Sequence, residues 1–325
     1  MKAFPAFLAC ALSLAAVSAA RADTYPSKNI TIVLPLAAGS GMDTIVRIYA
    51  EKLQHNLGKP VIIDNRPGAS LMLAAQAVAT APPDGYTLGL TMTTPMAVNP
   101  YLFKQMHYNP EKDFIPIALY LKSPFVLVVD PALPVKTVPE LFAYMKAQPN
   151  PLNYSSPGAG TSQHLATEYM KQLFGLDATN VPYRNTPQSI MDIASGHVNF
   201  GFVEAGASVP LIKDGKLRAL AVSSLQRLDA IPDVPTFAEA SNSRDFEAVA
   251  WHMLLAPAGT PRDIVDRLHN EMKTIMADPE MKRTISGLGL IPFDTPDEEG
   301  MRAYIRSERE KWGALVRKLG LEGTQ

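Results

Sequence analysis

Short runs of β-branched and aromatic residues alternate along this chain with longer stretches whose apolar positions recur every three to four residues. Ile30–Leu34, Val61–Asp64 and Tyr86–Thr91 have the length and composition of strands, while Thr44–Leu57 and Leu71–Thr80 between them carry helical spacing. Asp84-Gly85 marks a turn just before the third strand. This βαβαβ order predicts a mainly parallel sheet covered by helices on both faces. Two apolar runs follow, Phe114–Tyr120 and Phe125–Val129, broken by Lys122-Ser123-Pro124; the break is expected to be a crossing between two lobes. A second series then repeats the pattern: helix Val138–Ala147, strand Asn153–Ser155, helix Ser162–Phe174, strand Thr179–Val181, helix Pro187–Ser195, and strands Val198–Val203 and Leu217–Ser223. Ala230–Pro235 is extended and proline-stiffened, and Val249–Leu255 should return the chain to the first lobe. A helix opens at Pro261-Arg262-Asp263, and the last runs from Pro296 to about Leu319 with Gly320 as its stop. The expected fold is α/β with two lobes, 23–123 plus 246–325 and 124–245. Each would be a mainly parallel sheet flanked by helices, the two hinged by crossing strands.

Two of these strands run into small-residue loops that open a helix. The first loop holds Leu36, Ala38, Gly39, Ser40 and Gly41; the second holds Ser156, Gly158, Ala159, Gly160, Thr161 and Ser162. Glycine lets backbone approach a ligand closely, and a helix N-terminus presents free N–H groups to an anion. Two such loops on two lobes suit the two ends of a small dianion, so the pattern points to a protein that captures small carboxylates.

The N-terminus has the form of an export signal. Lys2 precedes the apolar run Phe7–Ala20, which is short for a membrane span, and Ala20-Arg21-Ala22 is a small-x-small cleavage site, so a mature chain beginning at Asp23 is expected in the periplasm. Cys10 is the only cysteine and lies inside that signal, too near its start to be a lipid-anchor cysteine. A mature chain without thiols excludes disulfides, zinc–thiolate sites and thiol catalysis, and suits an oxidising compartment. Loss of Lys2 and Arg21 moves the net charge from −1 to −3, and no basic stripe with interleaved aromatics points to nucleic acid.

Enzyme motifs are missing where they would be expected. Gly39-Ser40-Gly41-Met42-Asp43-Thr44 and Gly158-Ala159-Gly160-Thr161-Ser162-Gln163 both lack the third glycine of a dinucleotide fingerprint. There is no phosphate-binding P-loop and no Gly-x-Ser-x-Gly elbow. Ser162 and His164 point to different sides of a helix, and His164 has no metal-ligand spacing to another histidine. A periplasmic hydrolase is therefore the runner-up to a binding protein, and no metal or cofactor is expected. A third class, an extracytoplasmic sensor, needs the same cleft and the same closure.

Longer motifs carry a resemblance. Tyr25-Pro26-Ser27-Lys28, Asp64-Asn65-Arg66-Pro67-Gly68-Ala69, Pro83-Asp84-Gly85-Tyr86-Thr87-Leu88, Asn99-Pro100 and Asp113-Phe114-Ile115-Pro116 appear in order. Tyr154–Leu165, Val181-Pro182-Tyr183-Arg184, Gly215–Val222, Pro232–Thr236 and Ala256–Pro261 complete the set. In this order and spacing the chain resembles the substrate-binding receptors of tripartite tricarboxylate transporters, the TctC or Bug type. The resemblance implies a type II periplasmic-binding-protein fold and a carboxylate ligand between the lobes, held by main-chain N–H groups, small hydroxyls and water. It also implies membrane permease subunits as partners. The chain departs from the family's usual Pro-Phe-x-Pro-Gly-Gly at Pro35–Gly41, from its glycine at Asn185, and from its Asp-Asn around Glu204. No particular acid is therefore carried over; dicarboxylates, tricarboxylates, amino acids and aromatic acids stay open.

Further candidates surround the two loops. Asp43 either caps its helix or faces a substrate amine; His164 lines or supports the pocket. Thr93 and Thr94 follow the third strand at the carboxyl end of the sheet, where open α/β folds bind ligands, and are equally placed to cap the next segment. Tyr183 and Asn185 follow another strand within reach of the expected cleft, and Asp192 is expected to tie its helix to the loop before it. Glu204, at a strand end, either repels a dianion or selects a ligand with an amine.

Overall fold

The computed structural model describes residues 25–183, 186–244 and 246–325. The expected export signal, Arg184 and Asn185 lie outside the described residues. The first half of the chain forms β1 (Ile30–Leu34), α1 (Gly41–Leu57), β2 (Val61–Asn65), α2 (Met72–Ala79), β3 (Thr87–Met92), α3 (Asn99–Leu102), β4 (Phe114–Val129), α4 (Val138–Ala147) and β5 (Leu152–Ser156). Then come α5 (Ser162–Phe174), β6 (Ala178–Pro182), α6 (Thr186–Ala194), β7 (Phe200–Glu204), α7 (Ala205–Lys213), β8 (Arg218–Val222) and α8 (Phe237–Ser241). The chain closes with β9 (Val249–Pro257), α9 (Arg262–Ala277), α10 (Pro279–Gly287), β10 (Ile291–Pro292) and α11 (Glu298–Lys318).

The strands form one mixed, curled sheet in the order β2-β1-β3-β9-β4-β7-β5-β6, with β8 and β10 also paired to β4. Parallel pairing of β1 with β2 and β3, and of β5 with β6 and β7, follows from the helical crossovers between them. β9 runs antiparallel to both β3 and β4. The expected break at Lys122-Ser123-Pro124 is not a break in the strand. These residues stay extended against Trp251, Ala250 and Val249, and from Phe125 onward the same strand pairs instead with β7 and β8. The prolines are tolerated because β4 shifts register next to Pro116 and changes partner next to Pro124. Ser223 pins the changeover: it is fully buried, its Oγ accepts the Phe125 N–H at 2.8 Å and donates to the Ala248 carbonyl at 2.6 Å.

Nearly every residue of β4 and β9 is buried, since helices or loops cover both faces. On one side α1 and α9 pack Ile45, Val46, Tyr49, Leu53, Val265, Leu268 and Met272 against β1, β3 and the first part of β4. On α11, Met301, Ile305, Glu308, Trp312, Leu315 and Val316 are buried at spacings of three and four, so one face of this helix lies on the core. Glu308 is the polar member of that face. Its Oε2 accepts from the indole N–H of Trp251 at 3.1 Å and of Trp312 at 2.9 Å, tying α11 to β9.

Strand β7 begins at Phe200, two residues later than the sequence suggests, because the N–H groups of His197 and Val198 are still bonded to the Asp192 carbonyl of α6. Helix α7 was not foreseen: Ala205-Gly206-Ala207-Ser208 and an internal Pro210 look like loop sequence. Burial of Ala205, Ser208 and Val209 overrides that weak propensity.

Candidate functional site

A cavity of about 380 Å³ opens at the carboxyl ends of β1, β3, β5 and β7. Its lining includes Leu36 after β1, Ser70 and Leu71 before α2, Met92 and Thr94 at the end of β3, and Asn99 and Leu102 on α3. Phe125 and Ala250 form its floor beside the β4 changeover, and Pro157, Ala159, Gly160, Thr161, Ser162, Gln163 and Glu204 complete it. This is the position that open α/β sheets use for ligands. A larger groove of about 590 Å³ between α1 and α9 has other chemistry. Its Lys52 and Asp278 already pair with each other at 2.8 Å.

The second loop supplies one wall. Thr161 is the N-cap of α5, its Oγ1 accepting the His164 N–H at 3.4 Å and donating to the Gly158 carbonyl at 2.7 Å. Three of the expected donors are consumed inside the loop. Ser156 Oγ donates to Asn180 Oδ1 at 2.8 Å and accepts the Gly158 N–H at 3.1 Å, and the Gly160 N–H goes to His164 Nδ1 at 3.3 Å. Ser156, Gly158 and His164 therefore hold the loop's shape and do not line the cavity. His164 accepts at Nδ1, so its proton sits on Nε2, and burial lowers its pKa and keeps it neutral. What the loop leaves for a ligand is the start of α5, since the N–H groups of Ser162 and Gln163 occupy the first helical positions and have no intrahelical acceptor. Gly160 is required here: its φ is +76°, and a Cβ would stand 2.3 Å from Leu102 Cδ2 on the facing wall.

The first loop closes on itself instead. Ser40 caps α1 by accepting the Asp43 N–H at 3.2 Å, and Asp43 Oδ2 takes the Gly39 N–H at 3.0 Å. Arg47 clamps both oxygens of Asp43, and Asn65 adds a bond at 3.0 Å. The Arg47 bonds first, then those from Gly39 and Asn65, hold the Asp43 carboxyl down to about 2. Of this loop only Leu36 lines the cavity; Ala38, Gly39, Ser40, Gly41 and Asp43 do not. The buried Asp43 thus holds the loop's shape through the Gly39 N–H, and this helix start lies off the cavity.

Thr93 is also committed. It is fully buried, and its Oγ1 accepts the Trp251 N–H at 2.9 Å, so it joins β3 to β9 rather than capping the next turn; Thr94 faces the cavity. Tyr183 does not line it: its hydroxyl donates to Asp192 Oδ2 at 2.7 Å, which fastens α6 to the end of β6.

Glu204 ends β7, caps α7 through its backbone and faces the cavity. Glu204 is solvent-exposed, its side chain has no hydrogen-bond or ionic partner among the described residues, and desolvation by the neighbouring protein raises its pKa. It is the only titratable side chain among the described residues of the lining.

Nine lining residues escaped the reading of the sequence, among them Ser70, Leu71, Asn99 and Gln163. Ser70 and Leu71 follow the Asn65–Ala69 motif in a segment where Ala69, Ser70 and Leu71 all have positive φ, at 46°, 51° and 69°. Non-glycine residues seldom adopt this conformation, and its retention in succession marks a segment held by its surroundings. Asn99, quoted above only as part of an Asn-Pro motif, is fully buried; its Nδ2 donates to the Ser70 carbonyl at 2.9 Å, and its Oδ1 has no partner. Gln163 belongs to the Tyr154–Leu165 motif, but the type of residue gave no reason to single it out.

A curled α/β sheet with a cavity at its strand ends, walled by a helix N-terminus, defines the class of periplasmic binding proteins. Residues 45–321 match the family of tripartite tricarboxylate transporter receptors, and the chain belongs to that family. Protein BugT of Bordetella pertussis is 32% identical over 316 residues, covering 97% of this chain and 95% of BugT. Among solved structures, Rpa4515 of R. palustris with adipate matches with a TM-score of 0.82 at 31% identity, covering 91% of this chain and 98% of that one. MatC from Rhodopseudomonas palustris with bound malate matches at 0.76 and 29%, covering 90% and 100%. The protein is thus a solute-binding protein of the TctC/Bug type. Among the described residues no helix is long and apolar enough to cross a membrane.

Proposed function

We propose that this receptor captures a small solute bearing a carboxylate in the cavity between α5, α3 and Glu204, and delivers it to a tripartite tricarboxylate-type permease. The observation that carries this reading is the start of α5. Ser162 and Gln163 bring two uncommitted helical N–H groups to the cavity wall, with the Ser162 and Thr94 hydroxyls beside them. N–H groups at the positive end of a helix hold a carboxylate without the desolvation cost of burying an arginine. The binding of adipate and malate by related proteins supports a carboxylate as the anchored group. Closure of the lobes 23–123 plus 246–325 and 124–245 about β4 and β9 would be favoured only by the ligand's extra affinity for the closed form. The permease would then read the closed surface.

A thermal-shift screen against small carboxylates tests the binding step. An acid at about a hundred times its dissociation constant adds roughly 2.7 kcal/mol and raises the melting temperature measurably. The shift should vanish in Gly160→Val, whose side chain enters the space of Leu102. Absence of a shift for every acid, or a shift unaltered by that variant, contradicts the reading. Uptake of the same acid by cells with and without the receptor tests delivery. A sensor role would instead leave uptake unchanged.

A further inference from the structure

We infer that the ligand of this receptor carries an ammonium group as well as its carboxylate, and that Glu204 and Asn99 receive the ammonium. This rests on the carboxylate-capture reading above and specifies its ligand. The cavity's chemistry is divided. The α5 wall offers donors, the N–H groups of Ser162 and Gln163, while two acceptors elsewhere in the lining are left without partners. One is the carboxylate of Glu204, a solvent-exposed residue that no cation in the described lining neutralises. The other is Asn99 Oδ1, in a side chain that is 0% exposed.

The Asn99 amide is held in its orientation. Its Nδ2 donates to the Ser70 carbonyl at 2.9 Å, and Ser70 sits in the positive-φ segment Ala69–Leu71. Oδ1 is therefore the atom left over, and a buried acceptor without a donor is costly in a native protein. A ligand ammonium carries several donors and a charge opposite to that of Glu204, so it suits both acceptors of this lining. A dicarboxylate does neither: its second carboxylate meets a like charge at Glu204 and brings Asn99 Oδ1 no proton. The fully buried, oriented amide and the unpaired carboxylate in one lining distinguish this site from a stray acidic residue.

Matched ligand pairs test this by isothermal titration: glutarate with 4-aminobutyrate, glutarate with L-glutamate, and 3-phenylpropionate with L-phenylalanine. In the wild type, the amine-bearing member of the pair that binds should bind at least about tenfold more tightly, the discrimination of one charge-assisted hydrogen bond. Glu204→Gln should bring the two members to within about threefold, chiefly by weakening the amine, while its melting temperature without ligand stays near the wild-type value. Asn99→Leu, if folded, should weaken the amine-bearing member alone. Equal or tighter binding of the amine-free member by the wild type overturns the inference and leaves carboxylate capture standing. So does an unchanged ranking in Glu204→Gln. Silence from every compound, in titration and in the broader acid screen, overturns both.

Discussion

His252 makes the stability of this protein depend on pH. The residue lies on β9 with a fully buried side chain, and neither ring nitrogen has a hydrogen-bond partner. The nearest ring recorded is that of Tyr120 at 6.5 Å, and the Tyr120 and Tyr49 hydroxyls are likewise unpartnered. Burial in this apolar layer holds the imidazole at about 3, against an ordinary 6.5. The folded protein keeps His252 neutral while the unfolded chain takes up a proton below about pH 6.5. Stability is therefore unaffected by this group above that value and falls progressively as pH drops from about 6.5 towards about 3. Each unit costs about 1.4 kcal/mol, so at about pH 5 the loss is about 2 kcal/mol, set by the unfolded state because the folded imidazole does not titrate there. His252→Phe removes the titration and keeps a ring in the site. Urea unfolding of both proteins at about pH 7.5 and about pH 5 should show the wild type losing about 2 kcal/mol more than the variant, or about 3 °C in melting temperature for a chain of this length. Other titrating groups cancel in that difference. Equal losses in the two proteins would refute the reasoning, since His252 would then be able to take a proton inside the fold.

Three further outcomes are expected. Glu308→Ala leaves the Trp251 and Trp312 indole N–H groups buried without their acceptor and should cost about 3–5 kcal/mol in chemical denaturation. Gly160→Ala and Gly39→Ala both place a Cβ at positive φ, but only the former meets a neighbour, so calorimetry should show Gly160→Ala less stable by a further 1–3 kcal/mol or so, with loss of ligand response confined to it. Lowering pH protonates Glu204, whose pKa desolvation already raises, so calorimetric affinity for an amine-bearing acid should fall with pH and that for its dicarboxylate partner should rise; parallel trends for both would count against Glu204 facing the ligand.

The fold was legible because its signals are local and repeated. Strand-length apolar runs, helical spacing and loop chemistry place β1, α1, α4 and α5 to within a few residues, and the order of the crossovers implies their parallel pairing. The short helices α3, α8 and α10 and the strand β10 escaped, as did α7 and the shift of partner within β4; the last two are set by tertiary packing, since Pro124 signals an end, yet β9 keeps the strand extended through it. The site was legible at the level of loops and not of atoms. Glycine, serine and threonine at a helix start mark both loops alike, and Ser40 and Thr161 cap their helices in the same way, but only the start of α5 lies on the cavity. Nothing in the sequence says that the Asp43 carboxylate turns back onto Gly39, or that Asn99 reaches Ser70, because each contact depends on segments brought together only by the sheet.

The central claim is that a carboxylate binds at the start of α5. A crystal structure of the receptor with the tightest acid from the thermal-shift screen tests it most directly. The account predicts a ligand carboxylate oxygen within about 3 Å of the Ser162 or Gln163 backbone nitrogen. A ligand seated at the Gly39–Gly41 loop, or in the groove between α1 and α9, would contradict it.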